Sequence, residues 1–191
     1  ITHHHADHVG GASWLAERTG APVRAFDPAL CRDGAPLTDG EVITAAGLEL
    51  TVRHTPCHTA DSVCFEVGAD GSPAVLTGDT VLGRGTTVIS DLGDYLTSLR
   101  RLAAAAPHTW VLPGHGPDLP DLAGTAATYL AHREERLDQV RAALRRLGPD
   151  ATPRAVVEVV YADVDRSLWG PAEWSVQAQL DYLRGQRSHQ D

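Results

Sequence analysis

Apolar positions along the chain repeat with a period of two in some stretches and near 3.6 in others, and glycine and proline mark the joins. Val9, Trp14 and Leu15 among small residues, with a stop at Gly20, predict a helix over 9–18. A short strand is predicted at 23–26. Residues 41–44 and 48–54 alternate around Ala46-Gly47, the pattern of a hairpin, and 62–67 with 74–76 make a second strand pair around a turn-rich 68–73. Leu92, Tyr95, Leu96, Leu99 and Leu102 lie at helical spacing and predict an amphipathic helix over 91–105, followed by a strand at 109–112. The series Leu122, Tyr129, Leu137, Val140, Leu144 and Leu147 predicts one long helix over 121–147. Beyond Gly148-Pro149, patterns at 153–161 and 171–183 predict a small helical appendage. No segment repeats.

Strands alternating with helices give an α/β class, and the hairpins argue against an all-parallel, doubly wound sheet. At several strand ends a glycine or proline turns the chain and leaves a histidine or aspartate at the rim: His58 in Thr55-Pro56-Cys57-His58, Asp79 in Thr77-Gly78-Asp79, and His115 in Pro113-Gly114-His115-Gly116-Pro117. The first eight residues, Ile1-Thr2-His3-His4-His5-Ala6-Asp7-His8, hold four more histidines and an aspartate. Imidazole and carboxylate suit zinc and similar cations. A purification tag does not alternate in this way or run into Val9-Gly10-Gly11.

Composition narrows the classes. A chain of 191 residues, 42% of them hydrophobic, is long enough for one domain with a substantial core and too short for two large ones. No apolar run is long enough for a membrane span and no signal peptide is evident, so a cytoplasmic, membrane-free protein is expected. Cys31, Cys57 and Cys64 form neither an even framework nor a C-x-x-C pair and are expected to be free thiols. The net charge of -9 disfavours generic nucleic-acid binding. Lysine is absent, which removes Schiff-base and lysine-base chemistry. Methionine is absent too, so the chain is expected to be a fragment preceded by further strands.

The wide separations between His8, His58, Asp79 and His115 exclude a zinc finger and require a fold to gather the ligands. Together the motifs His3-x-His5-x-Asp7-His8, Thr-Pro-Cys-His58-Thr, Thr-Gly-Asp79 and Pro-Gly-His115-Gly-Pro resemble those of the metallo-β-lactamase-fold hydrolases, across nearly the whole chain. The resemblance implies an αββα sandwich with its N-terminal strands outside this chain, a catalytic domain over 1–147, and a winged-helix-like helical appendage over 148–191. It implies two divalent ions, zinc first and manganese or iron as alternatives, with His3, His5 and His58 on one, Asp7, His8 and His115 on the other, and Asp79 bridging. A hydroxide held between them would be the nucleophile, and Asp7 would also orient it or relay its proton.

Around this set, His4 is expected to be a packing residue, and Thr2 and Asp61 to hydrogen-bond ligand histidines. His54, His108 and His189 are expected to have no part in the site. His132 and Arg133, in Tyr129-x-x-His132-Arg133-x-x-Arg136, are candidate substrate contacts. Cys57 stands where relatives carry glycine and reads as a tolerated substitution.

The stretch from Thr77 to Ile89, and Gly114-His-Gly-Pro followed by the His-Arg helix, are similar to the branch that contains β-lactamase-like protein 2. That branch implies phosphodiester cleavage of single-stranded RNA by an endoribonuclease-like enzyme, or ester and thioester hydrolysis as in glyoxalase II or polyketide thioesterases. A true β-lactamase is disfavoured by Asp79, where those enzymes carry Cys or His, and by the lack of lysine. The appendage lacks an evident wing hairpin, which weighs against nucleic-acid contact through it. A non-catalytic metal-binding or interaction protein is the third reading, and a homo-oligomer is compatible with all three.

Overall fold

The computed structural model describes residues 1–68 and 73–188. Among these a single five-stranded sheet runs in the order β1-β2-β3-β4-β5, with β1 Val42–Ala45, β2 Leu48–His54, β3 Val63–Gly68, β4 Ala74–Gly78 and β5 Trp110–Pro113. All neighbours are antiparallel except β4 and β5, which are parallel and joined by a helical crossover. Ala46 (φ 51°) and Gly47 (φ 78°) both take positive φ, the conformation a two-residue hairpin turn demands, so the first hairpin closes where the alternation predicts. Of the predicted 68–73 turn, residues 69–72 lie outside the described residues, as does His189.

Pairing direction sets the position of the site. Because β3 runs against β2 and β4, strands β2, β4 and β5 all point their C-terminal ends the same way. His58, Asp79 and His115 follow those three ends. Residues 1–5 lie at the same end, where Val63 N donates to Thr2 O across the start of β3.

The helices are α1 Ala6–Val9, α2 Ala12–Thr19, α3 Leu92–Ala103, α4 Leu122–Leu147, α5 Pro153–Val160 and α6 Trp169–Ser188, with single 3-10 turns at Pro28–Leu30 and Arg166–Leu168. Helix α3 starts because the Asp91 carboxylate accepts from Asp94 N, and α4 because Asp121 accepts from Gly124 N. Thr152 caps α5 with Pro153 behind it. One face of the sheet buries Cys64, Val75 and Val111 against Leu92, Leu96 and Leu99 of α3, Leu137, Val140 and Leu144 of α4, and Val156, Val176 and Leu180 of the last two helices. The other face gathers a smaller cluster of Leu37, Val52 and Val63, flanked by Phe26, Ile43 and Phe65. The described residues thus supply one sheet and one helical layer of the αββα arrangement, with the winged-helix segment packed into the same core.

Several expectations shift. The strand at 23–26 reduces to one bridge between Val23 and Arg32, because Pro28 opens a 3-10 turn and no neighbouring strand is in reach among the described residues. The helix predicted over 9–18 begins earlier and is split by Gly10 and Gly11, so Asp7 and His8 stand on a short helical turn. The last helix starts at Trp169, placing Pro171 in its first turn, where a missing N–H costs nothing.

Candidate metal centre

All seven residues expected to bind metal converge at the C-terminal rim of the sheet. Three groups of donor atoms each lie within 4.8 Å of one another: His3, His5 and His58; Asp7, His8 and His115; and His3, His8 and Asp79. His58 Nε2 is 2.8 Å from His5 Nδ1, and His115 Nε2 is 3.0 Å from Asp7 Oδ2. The Asp79 carboxylate stands between, 3.3 Å from His8 Nε2 and 3.6 Å from the Nε2 atoms of His58 and His115. Asp79 and His58 are sunk into the rim, whereas Asp7 and His115 are open, their side chains 60% and 51% exposed.

The orientation of each ring follows from what holds its other nitrogen. His58 Nδ1 donates to the Val88 carbonyl at 2.7 Å, which fixes the tautomer and leaves Nε2 as a bare lone pair facing the cluster. The Thr2 hydroxyl lies 3.2 Å from His3 Nδ1 and 3.4 Å from His8 Nδ1, so one short side chain steadies two rings. Gly114 is required here, since a Cβ on it would come within 2.6 Å of Asp79 Oδ1 and 2.7 Å of His8.

For His3 and His5 the surroundings favour the neutral imidazole. Burial, then the neighbouring His8, pushes the His3 pKa down to about 4; burial and His58 also lower that of His5. The backbone N–H of Asp7, helped by His8 and His115, holds that carboxyl below the usual range. Of the five buried side-chain atoms without a hydrogen-bond partner among the described residues, two, His3 Nε2 and Asp79 Oδ1, lie in this cluster; the others are Asp61 Oδ2, Arg133 Nε and Gln179 Oε1. Unpartnered lone pairs aimed at a common point are costly without a cation, and a set of five imidazoles and two carboxylates suits zinc, manganese or iron. The donor set therefore fits a divalent metal.

Other expectations resolve individually. His4 does not pack: its half-exposed ring donates from Nδ1 to Asp61 Oδ1 at 2.7 Å, because the chain there is a loop with no opposite strand face. Burial works to raise the Asp61 pKa, yet the His4 hydrogen bond keeps its carboxyl below the ordinary range. Asp61 thus orients His4 rather than a residue of the cluster. His54 stacks on Phe26 at 3.8 Å and bonds the Ala60 carbonyl, away from the cluster. Cys57 is buried against Thr80, its thiol pushed up to about 12 by burial, and it belongs to none of the donor groups. His132 is half-buried, its pKa lowered by burial and by Arg133 and Arg136. Arg133 is buried, donates to the Thr87 carbonyl at 2.8 Å, and lies 5.4 Å from the Tyr95 ring. The Val88 carbonyl has no side-chain signature, so nothing in the sequence marks its role.

The family model described as the metallo-beta-lactamase superfamily matches residues 1–115, and that of the beta-lactamase associated winged helix domain matches 152–186. A Beta-lactamase-like protein 2 homolog of Drosophila melanogaster is 32% identical over 96% of this chain and 66% of its own length. An atrochrysone carboxyl ACP thioesterase of Paecilomyces divaricatus is 34% identical over 78% of this chain and 47% of its own. The crystal structure of a metallo-beta-lactamase family protein from Thermus thermophilus superposes with a TM-score of 0.65 at 26% identity, covering 93% of this chain and 60% of that one. The chain spans about half to two thirds of the length of these proteins. With both the ordered motifs and the fold in agreement, the chain belongs to the metallo-beta-lactamase superfamily.

Proposed function

We propose that the chain carries the metal centre of a metal-dependent hydrolase acting on a thioester or ester. The observation that supports this most is the pair of buried, unpartnered donor atoms, His3 Nε2 and Asp79 Oδ1, inside a cluster of seven metal-binding residue types. His3, His5 and His58 would hold one ion, Asp7, His8 and His115 the second, with Asp79 between; zinc is the first choice. When bound, such ions bring the pKa of water down to about 7 and polarise an acyl oxygen.

The chain's own residues do the rest. Thr2 and the Val88 carbonyl hold the rings in one orientation. Asp7, ionised and exposed beside His115, is placed to accept a proton at the mouth and return it to the leaving group. For a thioester the leaving thiolate needs little protonation, so a single open carboxylate suffices.

Charge supports this substrate class. Residues 148–191 carry seven acidic side chains against four arginines. Two of those arginines are committed to Trp169, and Arg154 also to Glu158 and Glu173. An RNA-binding appendage needs the opposite balance. A relative named as an acyl-carrier thioesterase points the same way. Phosphodiester cleavage of single-stranded RNA is the second reading, drawn from the winged-helix match. Three free thiols, Cys57 and Cys64 buried and Cys31 partly so, favour a cytoplasmic setting.

The test is an assay of the full natural protein, loaded with zinc, manganese or iron, against an acyl-thioester panel and single-stranded RNA. Thioester turnover is expected. RNA cleavage without thioester turnover would overturn the substrate class, and inertness with every metal would overturn the hydrolase reading.

A further inference from the structure

The loop between β4 and α3, residues 79–91, addresses several parts of the cluster. It begins at Asp79. Its Gly83 N donates to the His115 carbonyl at 2.9 Å, and its Val88 carbonyl accepts from His58 Nδ1 at 2.7 Å. The loop lies so close to the His115 turn that a Cβ on Gly83 would collide with the Pro117 carbonyl. Ser90, near its end, is tied through both N and Oγ to the Cys57 carbonyl, next to His58.

Long-range donors from the helical layer fix the shape of this loop. Tyr129 and Arg133 are four residues apart and share one face of α4. The Tyr129 hydroxyl lies 3.1 Å from the Leu82 carbonyl and 2.7 Å from that of Gly85, and Arg133 Nη2 donates to the Thr87 carbonyl at 2.8 Å. Tyr95 on α3 adds a bond to the Thr80 carbonyl at 3.1 Å. The Thr87 hydroxyl is itself 3.2 Å from His58 Nδ1. The chain of contacts is short: α4 to loop carbonyl, loop carbonyl or hydroxyl to His58.

We propose that Tyr129 and Arg133 form a two-point clamp that holds the loop against His58 and His115 and thereby sets metal affinity. They are positioning residues. The buried guanidinium of Arg133 is committed to a backbone carbonyl and reaches the chemistry through the loop, not through the substrate. The inference rests on the metal-centre reading above, and its test must separate the two.

Tyr129→Phe removes only the hydroxyl, and Arg133→Lys keeps the positive charge but not the reach and planar fork. Two measurements apply to each variant. The first is the zinc dissociation constant from chelator competition. The second is the His58 tautomer in the metal-free protein, from ¹H–¹⁵N correlation of the ring nitrogens. Expected is metal binding weakened about 10–100-fold, the range for losing an outer partner of a ligand, together with loss of the single Nδ1–H tautomer. Tyr129→Phe should keep its metal-free melting temperature within a few degrees. Variants that keep both the wild-type affinity and the fixed tautomer would overturn the clamp. A wild-type protein that binds no zinc yet shows a His58 tautomer sensitive to both variants would overturn the metal reading and leave the clamp standing.

Discussion

The rim cluster and the helical layer solve opposite problems within one small molecule. In the helical layer most polar groups have partners, Arg133 Nε and Gln179 Oε1 being the buried exceptions among the described residues: Asp91, Asp121 and Thr152 cap their helices, and Tyr95 bonds Thr80. Leu92, Leu99, Leu122, Val140 and Leu180 are all but sealed from water. At the rim, donors crowd together and two buried ones are left without partners among the described residues. The layer is held chiefly by apolar burial, whereas the rim, on the proposed reading, would be completed by a cation. Stability and chemistry are thus carried by different residues, with the 79–91 loop as the seam.

That division can be broken from either side. The largest expected effect is on the rim: Asp79→Ala should cost more in metal affinity and turnover than the roughly 10–100-fold typical of an outer partner, with little change in metal-free melting. Unchanged turnover would sink the bridging role. On the other side, Leu99→Ala in the sealed layer should destabilise by about 2–5 kcal/mol, the usual range for a buried leucine, while zinc affinity per folded molecule stays put. A large loss of affinity there would mean that the layer and the rim are not separable.

A smaller effect comes from pH. His3 is held neutral in the fold, with a pKa near 4 against 6.5 when unfolded. Between those values the unfolded chain binds more protons, so stability rises with pH across that window. Metal-free protein should therefore melt at lower temperature as pH falls from 6.5 towards 4, and His3→Gln should flatten the trend. A His3→Gln profile as steep as the wild type would show that another group carries the effect.

Much of the fold is legible in the sequence, for physical reasons. The Ala46-Gly47 hairpin, the α3 face and the 121–147 helix read clearly because alternation, helical spacing and capping residues all agree. His58, Asp79 and His115 can be named because glycine and proline turns mark strand ends, and His3, His5, Asp7 and His8 because they crowd into the first eight residues; their sorting into metal positions comes only from the family resemblance. What cannot be read depends on neighbours. The segment at 23–26 has strand composition but no strand to pair with, and the helical turn at Ala6–Val9 is too short to leave a period. Arg133 reads as a rim cation because a charged residue on a helix is usually exposed, yet here a backbone carbonyl and an aromatic ring accept it. The same holds for the Val88 carbonyl, which any residue would provide.

The parallel pairing of β4 with β5 carries a kinetic consequence. Asp79 and His115 meet only after the chain has passed out through α3 and returned, the kind of non-local closure that forms slowly. His3 and His5, proposed for one ion, and Asp7 and His8, proposed for the other, are neighbours in sequence and would be open to a cation before the sheet closes. An ion captured early would therefore be held by half a site and must wait for the crossover to close. On the proposed two-ion reading, the order in which the sheet assembles would set the order in which the two positions fill.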